Sequence, residues 1–382
     1  MARLVHVDQD IGKLSTHSGR LERWLGPQAE VLSAVGRDWY GPPIPIIGVP
    51  GKVYLRGGPG GGDFVGRIEG GYFGNLYDFA RQRIRAALRR TARRQFCTAS
   101  MGFASLGDLI AEASAGKKRV FVYQKLGGQG VVGGSNTVWY RGSTPPTGAT
   151  AGGVPAGSVC DDTTTGSFAF TNPAAPDTQH LTRWDSSSSV AATTLMLYDR
   201  LYAVEATMND NTAQAVTGVP SRYQSTTGTD PDYVGGNFLF VECREALPAT
   251  DHNWTVCTYK DQDDAASTLP SVAGVASCGA HRLDLPVGYW FAPLEAGDVG
   301  IKALTQLQCS AAVAGGNIAF AIGHPLGILA HPLANLFWSL DGVTGAFNLN
   351  RVFDNACLAF LELAKPGTGT TAYTGLFETV SG

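Results

Sequence analysis

Seven arginines between Arg81 and Arg94 form the densest set of chemically capable side chains in this 382-residue chain. Arg81, Arg85, Arg89 and Arg93 recur every four residues, with Arg83, Arg90 and Arg94 interleaved. Guanidinium groups grip carboxylates and phosphates through forked donors. A row of them at helical spacing repels itself unless acidic groups or phosphates lie opposite. The interleaved residues include Ala, Leu and Thr, and none of these reads or stacks on bases. The row therefore favours a protein-binding anchor, ahead of plain solvent exposure and of nucleic-acid contact.

Other arrangements evoke chemistry and lack its remaining parts. Gly57–Gly62 is glycine-rich, but Asp63-Phe64-Val65 follows it where a phosphate-binding loop needs Lys-Ser/Thr and a helix start. Asp261, Asp263 and Asp264 cluster, as do Asp161 and Asp162, without the spacing and distal Glu of a calcium loop. Solvated acidic turns are the simpler reading. His324-Pro-Leu and His331-Pro-Leu repeat a tripeptide seven residues apart, a spacing unsuited to a ligand set. Cys278-Gly-Ala-His281 evokes a nucleophile and base, but side chains this close in sequence rarely meet in attacking geometry. There is no H-E-x-x-H and no G-x-S-x-G. No catalytic residue, cofactor site or metal site is expected.

The elements that must carry these residues differ along the chain. Asn75 offers a helix cap, and Leu76, Ala80, Ile84, Ala87 and Leu88 make an apolar stripe. The spacing predicts a helix over residues 76–94 with the arginine row beside that stripe. Before it, residues 1–70 read as an extended arm. It holds a short helix around Leu21–Val35, a turn or polyproline II segment at Gly41–Pro45 and a loop at Gly57–Asp63. Ser105 with Asp108 predicts a second short helix ending near Gly116.

From Lys118 the apolar period shortens. Strands are expected at Val120–Gln124, Thr137–Arg141, Phe168–Phe170, Phe238–Cys243, Trp254–Tyr259, Ile301–Ser310 and Asn317–Ile322, with residues 142–166 as loop. Thr193–Ala203 is ambiguous between strand and helix by periodicity and reads as a strand followed by a short helix or turn at Asp199-Arg200. Cys357–Leu363 and Tyr373–Val380 read as a C-terminal hairpin turning at Pro366-Gly-Thr-Gly. The fold class is mainly β: one or two antiparallel sandwich or jelly-roll domains with an extended N-terminal arm and one Arg-rich helix. The division is 1–95 anchor, 96–204 first β-rich region, 205–335 sandwich and 336–382 C-terminal hairpin.

Charge divides the same way. Residues 1–125 carry a balance of +9 and residues 126–382 one of −12, within a net charge of −3. Charged residues are only 16% of the chain, which suits surface buried between subunits. No apolar run reaches the roughly 18 residues of a membrane span, and the first residues lack a secretory apolar core. Seven scattered cysteines without a CxxC read as free thiols in a cytoplasmic product. A Cys243–Cys257 disulfide is conceivable, with nothing in the sequence to support it.

Leu197–Tyr202, Phe291–Ile301 and His324–Leu329, with the upstream Met101–Ile110, resemble β-rich virion structural proteins of tailed bacteriophages, over about residues 96–335. The resemblance implies a non-enzymatic virion component assembled in the host cytoplasm, bound to the capsid shell and homo-oligomeric, with a trimer as one arrangement. A capsid-associated cement or decoration protein fits best. A major capsid subunit, or a tail, collar or fibre component reading host glycans through aromatics such as Trp139, Trp184 or Trp290, stays open, although core positions are the simpler reading of those tryptophans. A β-sandwich carbohydrate-active enzyme is the remote alternative and would need two facing carboxylates.

Overall fold

The computed structural model describes the strand segments 3–5, 44–46, 51–57 and 61–68, and then residues 103, 105–127, 134–169, 171–224, 235–343, 349–364, 367 and 370–382. The chain forms two units, Met1–Ala99 and Ser100–Gly382. In the first, Arg3–Val5 pairs with Ile44–Ile46, and Gly51–Gly57 pairs with Gly61–Ile68, both antiparallel. Ile44–Ile46 is thus a strand although prolines surround it, and Gly61–Asp63 open a strand where a loop was expected. The expected helices at 21–35 and 76–94 lie outside the described residues, and with them Arg81, Arg83, Arg85, Arg89, Arg90, Arg93 and Arg94.

The second unit is mainly β, as its patterning requires. Its short helix α1 (Leu106–Glu112) starts where expected, with the Ser105 hydroxyl accepting from the Asp108 amide at 3.1 Å. A π-turn follows, and Gly116 at φ +85° turns the chain into the first strand. The ten longer strands described here are β1 (Lys118–Leu126), β2 (Gln179–Ser188), β3 (Thr193–Ala206), β4 (Phe238–Glu245), β5 (Asn253–Asp261), β6 (Ile301–Cys309), β7 (Asn317–His331), β8 (Phe337–Asp341), β9 (Leu358–Ala364) and β10 (Ala372–Ser381).

They make three sheets. A six-stranded sheet runs β8-β2-β10-β1, with Ser143–Thr144 on β1 and Arg351–Val352 on β2. A seven-stranded sheet runs β4-β7-β3-β9, closed at one edge by Asn136–Thr137. A five-stranded sheet is built on β6-β5. Pairing between the longer strands is antiparallel throughout.

The seven-stranded sheet is covered on both faces, and its sequence says why. Leu195 and Leu197 of β3, Leu326 and Leu329 of β7, and Leu358 and Phe360 of β9 enter one core with Trp184 and Phe377 of the six-stranded sheet. The alternate residues Met196, Tyr198, Phe320, Ile322 and Leu361 enter a second core with Trp254, Tyr259 and Leu304 of the five-stranded sheet. Side chains alternate across a strand, so a strand buried on both faces reads as a continuous apolar run. That is the texture of LMLY and AFAI.

Several expectations change. β3 does not break at Asp199-Arg200: it runs fourteen residues, because both charges find buried partners. β7 likewise runs through Pro325, which sits where the register slips between Leu197 and Tyr198, a place that tolerates a missing amide donor. The C-terminal segment is not a hairpin. β9 pairs with β3 in one sheet and β10 with β1 and β2 in another, so the chain crosses between layers. Phe360 and Phe377 then share one core, both packed on Phe168, with Phe360 lying 4.6 Å from Tyr123 and 5.8 Å from Trp184 between ring centroids. The expected strand at Thr137–Arg141 shrinks to Asn136–Thr137 and a turn, and Phe168 is buried without belonging to a strand. The expected boundary at 204/205 falls inside β3, and segment 336–382 supplies strands to two of the sheets.

Phe360→Ala is therefore expected to destabilise the unit by about 3–5 kcal/mol, read from urea unfolding. A loss below about 1 kcal/mol would remove the inter-sheet packing from the account.

Candidate functional site: two buried polar clusters

Two clusters of ionisable side chains lie within the second unit. The first grows from the adjacent pair on β3. Asp199 receives Arg222 through two prongs, Nη2 to Oδ1 at 2.6 Å and Nε to Oδ2 at 2.8 Å, and the Cys357 amide donates to Oδ1 at 2.9 Å. Burial pushes the Asp199 carboxyl up, and the Arg222 guanidinium pulls it back. Arg200 pairs with Glu242 of β4 through both terminal nitrogens. The Tyr140 hydroxyl donates to the same carboxylate at 2.8 Å, and the guanidinium lies over the Trp139 ring at 4.7 Å. Burial opposes the charge on Arg200, and the Glu242 carboxylate together with the Tyr198, Cys160 and Tyr140 side chains offsets it, so the guanidinium stays charged. Arg200 is 1% exposed and Glu242 0%.

The second cluster joins β4 to β5 and the segment between β5 and β6. The Cys243 and Cys278 sulfurs and an Asp284 oxygen lie within 4.8 Å of one another. Asp284 is heavily engaged: Oδ1 accepts from the Val275 amide at 2.6 Å, and Oδ2 faces His252 Nε2 at 2.9 Å and the Trp254 indole at 3.2 Å. His252 Nδ1 faces the Thr250 carbonyl at 3.1 Å. Both ring nitrogens face pure acceptors, which only the imidazolium satisfies. The Asp284 hydrogen bond accordingly raises the His252 pKa above its ordinary value. Gly274 packs against this ring, and a Cβ there would stand 2.2 Å from Nε2.

Neither cluster is built for turnover. Their charges are matched, their donors are used and their side chains are shut away from water. A general acid or base must reach a substrate proton, and these groups reach only one another. The open polar pocket between Lys117, Arg119, Asn172, Asp177 and Gln179 has a volume of about 220 Å³. That is below the roughly 300–1,000 Å³ of small-molecule sites. Its Lys117 ammonium is already held by Glu112 at 2.8 Å and Asp177 at 2.5 Å.

The residues singled out in the sequence scatter through this frame. Asp161 Oδ1 accepts from Thr163 and Thr164, and Asp261 Oδ1 from the Asp263 and Ala265 amides, so both acidic groups organise turns. His324 stacks on Tyr223 at 4.0 Å, while His331 ends β7 near Tyr373 at 5.5 Å. Cys278 finds Cys243 and not His281. Trp139 and Trp184 are buried, so they cannot serve as glycan platforms, and Trp290 is half-buried against Phe238. The arginine row lies outside the described residues. Sequence reasoning missed the Arg200–Glu242, Arg222–Asp199 and His252–Asp284 pairs. Their one signal was charge inside otherwise apolar strands such as LYDRLY and FVECRE.

No family model and no curated protein matches the chain. Among solved structures, one described as infectious bursal disease virus Gt strain aligns at 13% identity, over 69% of this chain and 81% of that one, with a TM-score of 0.11. A likeness at that level carries no argument about fold or function.

Proposed function

We propose that this chain is a non-enzymatic structural protein of a tailed-phage particle, most closely a capsid-associated cement or decoration protein. In this reading the N-terminal region, 1–95, binds an acidic face of the capsid shell through Arg81, Arg83, Arg85, Arg89, Arg90, Arg93 and Arg94. The β unit self-associates. The observation that carries the reading is where apolar surface and charge fall. The six-stranded sheet exposes Val122 at 65%, Phe337 at 64% and Val120, and Leu333 and Leu336 are exposed in the segment leading into β8. Large apolar side chains left in water on a sheet whose core is already full suit contact with further subunits. The buried charges meanwhile act as internal fastenings.

Reversing Arg81, Arg85 and Arg89 to glutamate is expected to cut incorporation into particles at least tenfold, measured by quantitative mass spectrometry of purified particles. Circular dichroism of the variant should stay β-dominated. Unchanged incorporation would refute the anchor.

A further inference from the structure

The six described cysteines are all buried, and four of them face one another in two pairs. Cys243 on β4 has its sulfur within 4.8 Å of that of Cys278, whose backbone carbonyl accepts from the Leu247 amide at 2.8 Å. Cys160 and Cys357 lie end to end along one edge of β3, Cys160 next to Val159, which pairs with Tyr202, and Cys357 next to Leu358, which pairs with Asp199; β7 occupies the other edge. The Cys160 amide donates to the Leu201 carbonyl at 3.1 Å, and the Cys357 carbonyl accepts from the Arg200 amide at 2.8 Å. The Cys160 thiol donates to the Ser158 carbonyl at 3.8 Å, and each thiol of the pair perturbs the other's titration. Cys257 and Cys309 are not directly opposite on β5 and β6: Cys257 faces Leu307, and Cys309 faces Trp254.

We infer that Cys160/Cys357 and Cys243/Cys278 are two prepositioned dithiols that close to intramolecular disulfides by exchange with a small-molecule disulfide. One protein thiolate attacks a sulfur of the small disulfide. That S–S bond breaks, a mixed disulfide forms and one small thiolate leaves. The second cysteine gives up its proton and attacks the protein sulfur of the mixed disulfide, forming the protein S–S bond and expelling the second small thiolate. Two protein thiols are oxidised, one small disulfide is reduced, and the two protons end on the small thiols.

A metal is the competing occupant, and the donor set argues against it. Zinc asks for four ligands. Asp284 already takes three hydrogen bonds, and both His252 nitrogens are engaged, one by Asp284 and one by the Thr250 carbonyl. Beside the other pair, Asp199 is held by Arg222 and the Cys357 amide. What the two places share is only a thiol against a thiol. They differ in readiness. The neighbouring Cys357 thiol and the Arg200 charge favour the Cys160 thiolate, whereas the neighbouring Cys278 thiol and burial push the Cys243 thiol up. Cys160 also sits beside exposed Val159, while Cys243 and Cys278 are 0% exposed. The Cys160–Cys357 bond should form first. The inference concerns the chain alone and stands apart from the virion reading.

The test is incubation of the reduced, purified full-length chain with oxidised glutathione, followed by thiol counting in denaturant and peptide mapping without reductant. Accessible thiols should fall from the seven of the sequence to three, Cys97, Cys257 and Cys309 remaining. The cross-linked peptides should be 160–357 and 243–278, the former appearing first. The melting temperature should rise by about 5–10 °C and return with dithiothreitol. Cys357→Ser should lose only the first bond and Cys278→Ser only the second. If a variant fails to fold, the oxidised and reduced wild-type chains carry the comparison. Glutathione adducts in place of internal bonds, other pairings, seven surviving thiols after exchange at the edge of unfolding, or thiols freed only by a chelator would each overturn the inference.

Discussion

Replacing Glu242 by leucine is expected to destabilise the β unit by about 3–5 kcal/mol, because it strands the Arg200 guanidinium in a fully buried site. Arg200→Met should cost a similar amount by stranding the carboxylate. The double variant Arg200→Met with Glu242→Leu should lose less than either single change, since it removes both charges and leaves apolar volume between Trp139 and Phe240. Urea unfolding of the four proteins gives the cycle, and a coupling above about 2 kcal/mol is expected. Additive losses would mean that the two groups are solvated separately, against their 1% and 0% exposure. The same cycle bears on function. A pair kept as a fastening should be replaceable by apolar side chains without loss of any assembly the chain takes part in.

Lowering the pH from 7 to 5 is expected to reduce unfolding stability by about 4 kcal/mol, through His324 and His331. Burial pushes each of these down to about 4. The unfolded chain takes up a proton on each near pH 6.5, which the folded chain refuses until about pH 4, so stability falls with pH across that window at about 1.4 kcal/mol per unit per histidine. His281, lowered by burial and by Arg141, adds in the same direction. His252 works the other way. Its pKa is raised, so its stabilisation is complete below about pH 6.5 and is lost as pH climbs through the folded value. Stability should therefore peak near neutrality. His252→Gln should flatten the alkaline limb and leave the acid limb. Equilibrium unfolding at half-unit pH steps measures both, and a flat profile from pH 7 to 5 would contradict the buried neutral state of His324 and His331.

The extent to which the sequence was legible follows from the range of the interactions involved. Ser105 capping α1, the starts of β5 and β6, and the turn before Ile301 are local events, and composition and turn chemistry found them. The break assigned to Asp199-Arg200 was wrong because the partners that make a strand affordable there, Arg222 and Glu242, lie 23 and 42 residues away. The C-terminal hairpin was wrong for a related reason. A short apolar strand, a Pro-Gly turn and another strand look the same whether the strands pair or cross between layers. Only the two-sided burial of β9, with Phe360 facing one core and Leu361 the other, separates the cases. Cys278 was read against its near neighbour His281, while its true neighbour, Cys243, lies 35 positions upstream.

The claim on which the functional account stands is that this chain lives on a particle and holds there by charge. Particles banded on a density gradient at about 0.1 M and about 1 M salt, with the chain quantified per particle, test it most directly. The account predicts a fixed copy number at low salt and release of the chain as an intact β-rich oligomer at high salt. A chain found at both salts only in the soluble fraction, as a monomer, would contradict it.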